Sequence, residues 1–179
     1  MKKVLIVSSS LRGGSNSEIL AHEAEKGAQD AGNEVEFINL KGKDIKFCIG
    51  CLACQKIHKC VQKDDVAELL GKVQNADVIV FATPIYYYEM SGQLKTFLDR
   101  CNPLYGQDNN FKDVYLITSA YDSSEKAADR AISGLKGWIE CFEQSRFAGA
   151  LVGGGIDEPK AALERDDLLK KAYELGKNI

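Results

Sequence analysis

The sequence predicts an α/β protein built on an open parallel sheet of five strands, with helices covering both faces. Two observations carry that prediction. Short, continuous apolar runs of the kind buried on both faces of a parallel sheet recur along the chain, and stretches with apolar residues at helical spacing alternate with them. A third observation is length. The 179 residues can enclose one sizeable core, and no linker, internal repeat or low-complexity tract divides them, so residues 1–179 are expected to form one domain.

The first strand is Val4-Leu5-Ile6-Val7. The loop Ser8 to Ser17 follows, and Ser15 or Asn16 can cap the next helix, in which Ile19, Leu20, Ala24 and Ala28 recur at helical spacing before Gly32 ends it. Val35 to Leu40 is the second strand. The segment from about Asp44 to Lys63 has no periodicity of its own. Asp64-Asp65 then opens a helix carrying Val66, Leu69, Leu70 and Val73 on one face, the two acids being read as complements to its positive end. Val78 to Ala82 is the third strand and the most apolar run, with Thr83-Pro84 expected to stop it. A helix spans about Ser91 to Arg100, and Val114 to Thr118 is the fourth strand. A longer helix places Ala128, Ala131, Ile132, Leu135, Trp138, Ile139 and Phe142 on one face. Phe147 to Val152 is the fifth strand, and the last helix runs from about Ala161 to Gly176.

Composition narrows the partners. Apolar residues are 45% and charged residues 27% of the chain, an ordinary balance for a folded protein. Lys plus Arg number 23 against 26 acids, a net charge of −3, so the basic excess expected of a phosphate-backbone binder is missing and nucleic acid is not an expected partner. No apolar window reaches the roughly 7–15 residues of a signal peptide or the roughly 20 of a membrane span, so a cytoplasmic location is expected.

In a doubly wound sheet, ligands bind beyond the carboxyl ends of the strands. Three loops leave those ends with unusual content: Ser8 to Ser17, Thr83 to Ser91, and Ser119 to Ser124. The first is rich in hydroxyls and opens a helix, which suits a monoester phosphate held by neutral donors. It contains neither the G-x-x-x-x-G-K-[ST] nor the G-x-G-x-x-G pattern, and a serine-rich turn with a capping serine is the plainer alternative. The second places Tyr86, Tyr87, Tyr88 and Met90 just after a buried strand, as a flat ligand or a subunit interface would require. Gly153-Gly154-Gly155 reads as a flexible turn.

The six cysteines fall unevenly. Cys48, Cys51, Cys54 and Cys60 form a C-x2-C-x2-C run with a fourth cysteine six residues on; Cys101 and Cys141 stand alone and read as small core residues. Four thiolates around one small volume suit an iron–sulfur cluster, structural zinc being the runner-up and a free-thiol loop the third reading. With only His22 and His58 in the chain, a three-histidine zinc site is excluded.

Taken in order, these segments resemble the NADPH-dependent FMN reductase-like family, and within it the iron–sulfur flavoproteins. The resemblance rests on Ser9-Ser10-Leu11-Arg12 with Ser15-Asn16-Ser17, then Cys48 to Cys60 followed by Val61 to Asp65. It continues through Ala82-Thr83-Pro84-Ile85-Tyr86 and Met90 to Lys95, and closes with Lys171 to Gly176. It implies a flavodoxin-like three-layer sandwich with strand order 2-1-3-4-5 and one FMN per subunit. It assigns the phosphate to Ser10, Arg12, Ser15, Asn16 and Ser17, and the isoalloxazine to Thr83, Pro84, Ile85, Tyr86 and Tyr87, with a further edge at Ser119, Ala120 and Tyr121. It makes Cys48, Cys51, Cys54 and Cys60 the ligands of a [4Fe-4S] cluster. It also implies a homodimer or homotetramer in which NAD(P)H reduces the flavin and a small molecule accepts the electrons. The alternative activity is electron carriage from a ferredoxin-like donor through the cluster.

Overall fold

A computed structural model describes all residues from Met1 to Ile179. Five parallel strands, β1 (Lys3–Ser8), β2 (Glu34–Asn39), β3 (Val78–Tyr86), β5 (Asp113–Ser119) and β6 (Arg146–Gly153), lie in the order β2-β1-β3-β5-β6. This is the expected 2-1-3-4-5 path; the numbering shifts because a two-residue strand, β4 (Glu89–Met90), folds back antiparallel onto the end of β3.

Parallel strands covered on both faces should be apolar at every position, and β1 shows why. Leu5 and Val7 join a core with Leu69, Leu94 and Leu135, contributed by α3 (Val66–Asn75), α4 (Gly92–Arg100) and α5 (Asp129–Ile139). Val4 and Ile6 face the other way, onto Leu20 and Ala24 of α1 (Asn16–Asp30) and Ala172 of α6 (Asp166–Lys177). Helices α1 and α6 meet almost backbone to backbone. A Cβ on Gly176 would stand 1.8 Å from the Ala24 carbonyl oxygen, and one on Gly27 2.0 Å from that of Tyr173. Gly176, expected only as a helix end, is therefore a crossing point inside α6. No helix is long and apolar enough to cross a membrane.

Several local expectations are corrected. Thr83-Pro84 does not stop β3, which runs on to Tyr86. Pairing with β1 ends at Ala82 whereas pairing with β5 continues to Pro84, so the proline sits where one side of the strand has no ladder to break. The residues beyond form a hairpin, not an open loop, turning through Tyr87 (φ 52°) and Tyr88 (φ 65°). The last helix does not start at Ala161: a 3-10 turn over Ala161–Glu164 precedes α6. Asp64 and Asp65 are not simply dipole complements. Asp64 pairs with Arg100, and the Asp65 side chain accepts the Asp44 N–H instead of capping α3. Cys101 is buried, but Cys141 lies past the end of α5 in a turn and is exposed. Gly153-Gly154-Gly155 is no slack turn: a Cβ on Gly153 would lie 2.7 Å from the Thr118 carbonyl oxygen and one on Gly154 2.9 Å from that of Asp122.

Candidate functional site

Because β1, β3 and β5 are neighbours, the three loops beyond their carboxyl ends lie side by side. Their floor is a set of buried hydroxyls. Ser8, Ser9, Ser10, Ser15, Ser17, Thr83, Ser91 and Ser119 are all buried, an expensive arrangement unless each hydroxyl has work for its hydrogen bonds. Ser9 Oγ bonds the Ala82 carbonyl at 3.0 Å and Ser91 Oγ at 3.0 Å, and the Ser9 N–H donates to the same carbonyl at 2.9 Å. Ser91 in turn caps α4 by accepting the Leu94 N–H, and its own N–H donates to Thr83 Oγ1 at 3.0 Å. One buried chain of hydroxyls thus ties the first loop to the second. Neither Ser9 nor Ser91 stood among the sequence-predicted site residues. Both lie within the loops expected to carry the ligand, Ser9 in Ser8 to Ser17 and Ser91 at the end of Thr83 to Ser91, without being singled out in them.

The first loop ends in the amino terminus of α1. Ser15 Oγ accepts the Glu18 N–H at 3.4 Å and bonds Ser17 Oγ at 3.1 Å, while the Ile19 N–H goes to the Ser15 carbonyl. That leaves the N–H groups of Asn16 and Ser17, the first of the helix, for some other acceptor. The Asn16 side chain is committed elsewhere: its amide donates to the Glu158 carbonyl at 2.9 Å and its oxygen accepts the Ala162 N–H at 3.1 Å. Arg12 Nη1 donates to the Asp157 carbonyl at 2.6 Å. The segment 157–162, whose attachment here the sequence did not foreshadow, is thereby fastened to the loop. The third loop is held to β6, since the Ala120 N–H bonds the Gly153 carbonyl at 2.8 Å.

The second and third loops also carry solvent-exposed aromatic rings. Tyr87 at the hairpin tip is 97% exposed and Tyr121 80% exposed, with Tyr86 and Tyr88 about half exposed. A turn with positive φ at both central residues normally takes Asn or Gly. Placing two tyrosines there costs roughly 1–2 kcal/mol each, and such strain is characteristic of functional sites.

The cysteine segment forms a second site. Cys48, Cys51, Cys54 and Cys60 all line one small cavity beside the end of α4, with α2 (Cys54–Ile57) supplying a single helical turn. No three of them converge as they would on a single metal ion. Two receive N–H donors: Asn102 Nδ2 lies 3.1 Å from Cys54 Sγ, and Arg100 Nη2 lies 3.3 Å from Cys60 Sγ. Arg100 is fully buried and makes a two-pronged pair with Asp64. Burial alone would raise the Asp64 carboxyl, but hydrogen bonds from Arg100 and from the Lys46 and Val66 backbone outweigh it and hold its pKa below the ordinary value. The donor set fits a thiolate-held group: four sulfurs around one cavity, with N–H donors on two of them. Asp64, Arg100 and Asn102 were not foreseen as parts of it.

A five-stranded parallel sheet in this order, with ligand loops at its switch point, defines the flavodoxin-like class. Solved structures agree on the fold: an azoreductase from Bacillus anthracis superposes with a TM-score of 0.76 at 18% identity over 100% of both chains. The description NADPH-dependent FMN reductase matches residues 2–146, and the chain belongs to that family. It is an NAD(P)H-dependent oxidoreductase of the flavoprotein type. It is similar to an iron–sulfur flavoprotein of Archaeoglobus fulgidus, 33% identical over all of this chain and 79% of that one. A second iron–sulfur flavoprotein, from Methanocaldococcus jannaschii, is 41% identical over 57% of this chain and 53% of its own length.

Proposed function

We propose that residues 1–179 form one cytoplasmic FMN-binding domain that passes electrons from NAD(P)H to a small acceptor such as a quinone, an azo compound, free flavin or a metal ion. The supporting observation is the buried hydroxyl floor at the open amino end of α1, adjoining the exposed tyrosines of the β3–β4 hairpin. In this reading Ser10, Ser15 and Ser17, with the free N–H groups of Asn16 and Ser17, hold the phosphate. Arg12 and the Asn16 side chain act indirectly, by fastening the segment 157–162 against the loop. Thr83, Pro84, Ile85, Tyr86 and Tyr87 support one side of the flat ring, and Ser119, Ala120 and Tyr121 border it. Bound flavin supplies hydride and single-electron chemistry, so these residues need only bind, orient and shield, and no acid–base pair is required. The exposed Leu11, Tyr87 and Tyr121 leave the ring's outer side for a second copy of the chain, as in a homodimer or homotetramer.

The test is release of FMN on denaturation, near one equivalent per chain after reconstitution, together with oxidation of NADH or NADPH by the purified protein. Failure to bind FMN at micromolar concentration overturns the reading.

A second reading is favoured by the thiol cavity: an iron–sulfur flavoprotein in which Cys48, Cys51, Cys54 and Cys60 hold a [4Fe-4S] cluster that receives electrons from a ferredoxin-like donor. Protein prepared without oxygen should then contain iron and acid-labile sulfide, and replacing any one of the four cysteines should remove them. Tightly held zinc without iron would sink this second reading and leave the first standing.

A further inference from the structure

Arg100 is the least expected buried group in the molecule. It is 1% exposed, and its one guanidinium reaches both stems of the cysteine segment. Nη1 donates to the Lys46 carbonyl at 2.6 Å, two residues before Cys48, and to Asp64 Oδ2 at 2.5 Å, four residues after Cys60. Nη2 donates to Asp64 Oδ1 at 3.0 Å and to Cys60 Sγ at 3.3 Å. Nε is buried without a partner, in a side chain that lines the same cavity as the four thiols. The stems also bond each other: the Lys46 N–H goes to Asp64 Oδ2 at 3.0 Å, Lys46 Nζ to the Lys63 carbonyl at 2.7 Å, and Gln62 Nε2 to the Phe47 carbonyl at 2.8 Å.

Stability alone does not account for this arrangement. Removing a guanidinium and a carboxylate from water is costly, and well-packed apolar residues often stabilise such a site at least as well. What an apolar pair could not supply is an N–H donor aimed at sulfur. Hydrogen bonds to the sulfurs and the charge beside them are what tune the potential of a thiolate-held cluster, because reduction adds negative charge there.

We infer that Arg100 is a positioning residue for the group that the four thiols hold: Asp64 fixes the guanidinium, which closes the loop's stem and donates to Cys60 Sγ, raising that group's reduction potential. The inference rests on the iron–sulfur reading given above. It adds that a residue outside the cysteine motif, on the helix that begins at the candidate flavin loops, governs how readily the cluster takes an electron.

The experiment compares anaerobically reconstituted wild type with Arg100→Lys, Arg100→Met and the double variant Asp64→Asn/Arg100→Met. The double variant is decisive. It removes cation and anion together, so net charge is unchanged and no unpaired carboxylate is left buried. Retained FMN and unchanged circular dichroism establish that a variant is folded. If Arg100→Met fails that check, the double variant and Arg100→Lys, which keeps the charge, carry the comparison. The cluster is titrated with dithionite and followed by the paramagnetic signal of its reduced form, which separates it from the flavin. We expect the double variant to be reduced less readily by at least a tenfold change in equilibrium, about 59 mV for a one-electron couple, with Arg100→Lys falling between it and wild type. Iron per chain should also decay faster on exposure to air in the double variant. Full iron content with an unchanged midpoint and unchanged decay overturns the inference while leaving the cluster reading intact. A wild-type protein without iron overturns the cluster reading and this inference with it.

Discussion

Replacing Ser91 with Ala tests whether the hydroxyl chain across the candidate flavin floor is a joint or an ornament. Two contacts disappear. The side chain no longer caps α4, which costs about 1 kcal/mol for a typical N-cap, and Ser9 Oγ loses its 3.0 Å partner, about 1 kcal/mol for a neutral buried hydrogen bond. The expected loss is therefore about 2 kcal/mol, or a Tm lower by about 4–8 °C in a chain of this size. The control is Ser124→Ala. Ser124 also caps, accepting the Lys126 N–H at 3.2 Å, but it is exposed and heads only a four-residue 3-10 turn. Its loss should stay at or below about 1 kcal/mol. The assay is thermal and urea unfolding of both FMN-free variants beside wild type. If Ser91→Ala shifts the midpoint no further than Ser124→Ala, the bridge between the first two loops does not contribute and the argument for a preformed floor fails.

Other outcomes follow from single features. Ser10→Asp or Ser17→Asp puts a carboxylate on the floor assigned to the phosphate, so FMN should bind at least tenfold more weakly in a fluorescence titration, about 1.4 kcal/mol; unchanged affinity would place the phosphate elsewhere. Gly176→Ala drives a Cβ to within 1.8 Å of a backbone oxygen that cannot rotate away, so α6 must lift from α1. The cost should be about 1–3 kcal/mol in chemical denaturation, whereas Gly137→Ala, inside α5 with only open space for a Cβ, should cost nothing and raise stability by up to about 1 kcal/mol. The lowered pKa of Asp64 fixes the sign of an acid effect. Its contribution to stability is complete above the ordinary carboxylate value of 3.8 and is lost as pH falls through the lower folded-state value. The stability of wild type relative to the Asp64→Asn/Arg100→Met variant should therefore fall in strong acid; a difference in denaturant midpoint that holds constant there would show that the pair does not titrate with folding.

How much of this was legible depends on how local each cause is. The strands could be read because a sheet covered on both faces demands an unbroken apolar run, and Val78 to Ala82 has no other use. The thiol segment was legible because its spacing is itself the signal. The β3–β4 hairpin was not, since its turn residues are Tyr87 and Tyr88 where the usual mark is Asn-Gly, and Pro84 reads as an ending unless one knows that β1 has already dropped away. The segment 157–162 was equally hidden: its attachment to Asn16 spans 142 and 146 residues, and no pattern within either stretch announces it.

Arg100 shows the same limit most plainly, and what hides it also explains its use. In sequence it is a basic residue in the last turn of a helix, where a cation is expected to face solvent and complement the dipole. In the fold it is fully buried, because α4 delivers it under a loop that begins more than fifty residues earlier in the chain. The same helix starts at Ser91, whose hydroxyl and N–H bond Ser9 and Thr83 on the candidate flavin floor. Nine residues at about 1.5 Å each make α4 about 13 Å long. Its amino end is thus bonded to the hydroxyl floor and its carboxyl end to the thiol cavity, with Leu94, Phe97 and Leu98 packed in the core between them. A helix held at both ends and along one face has little freedom to tilt or slide. The separation of the two candidate sites is therefore set by the rigid part of the protein, and the loops that carry the flavin contacts and the cysteines are left to vary around it.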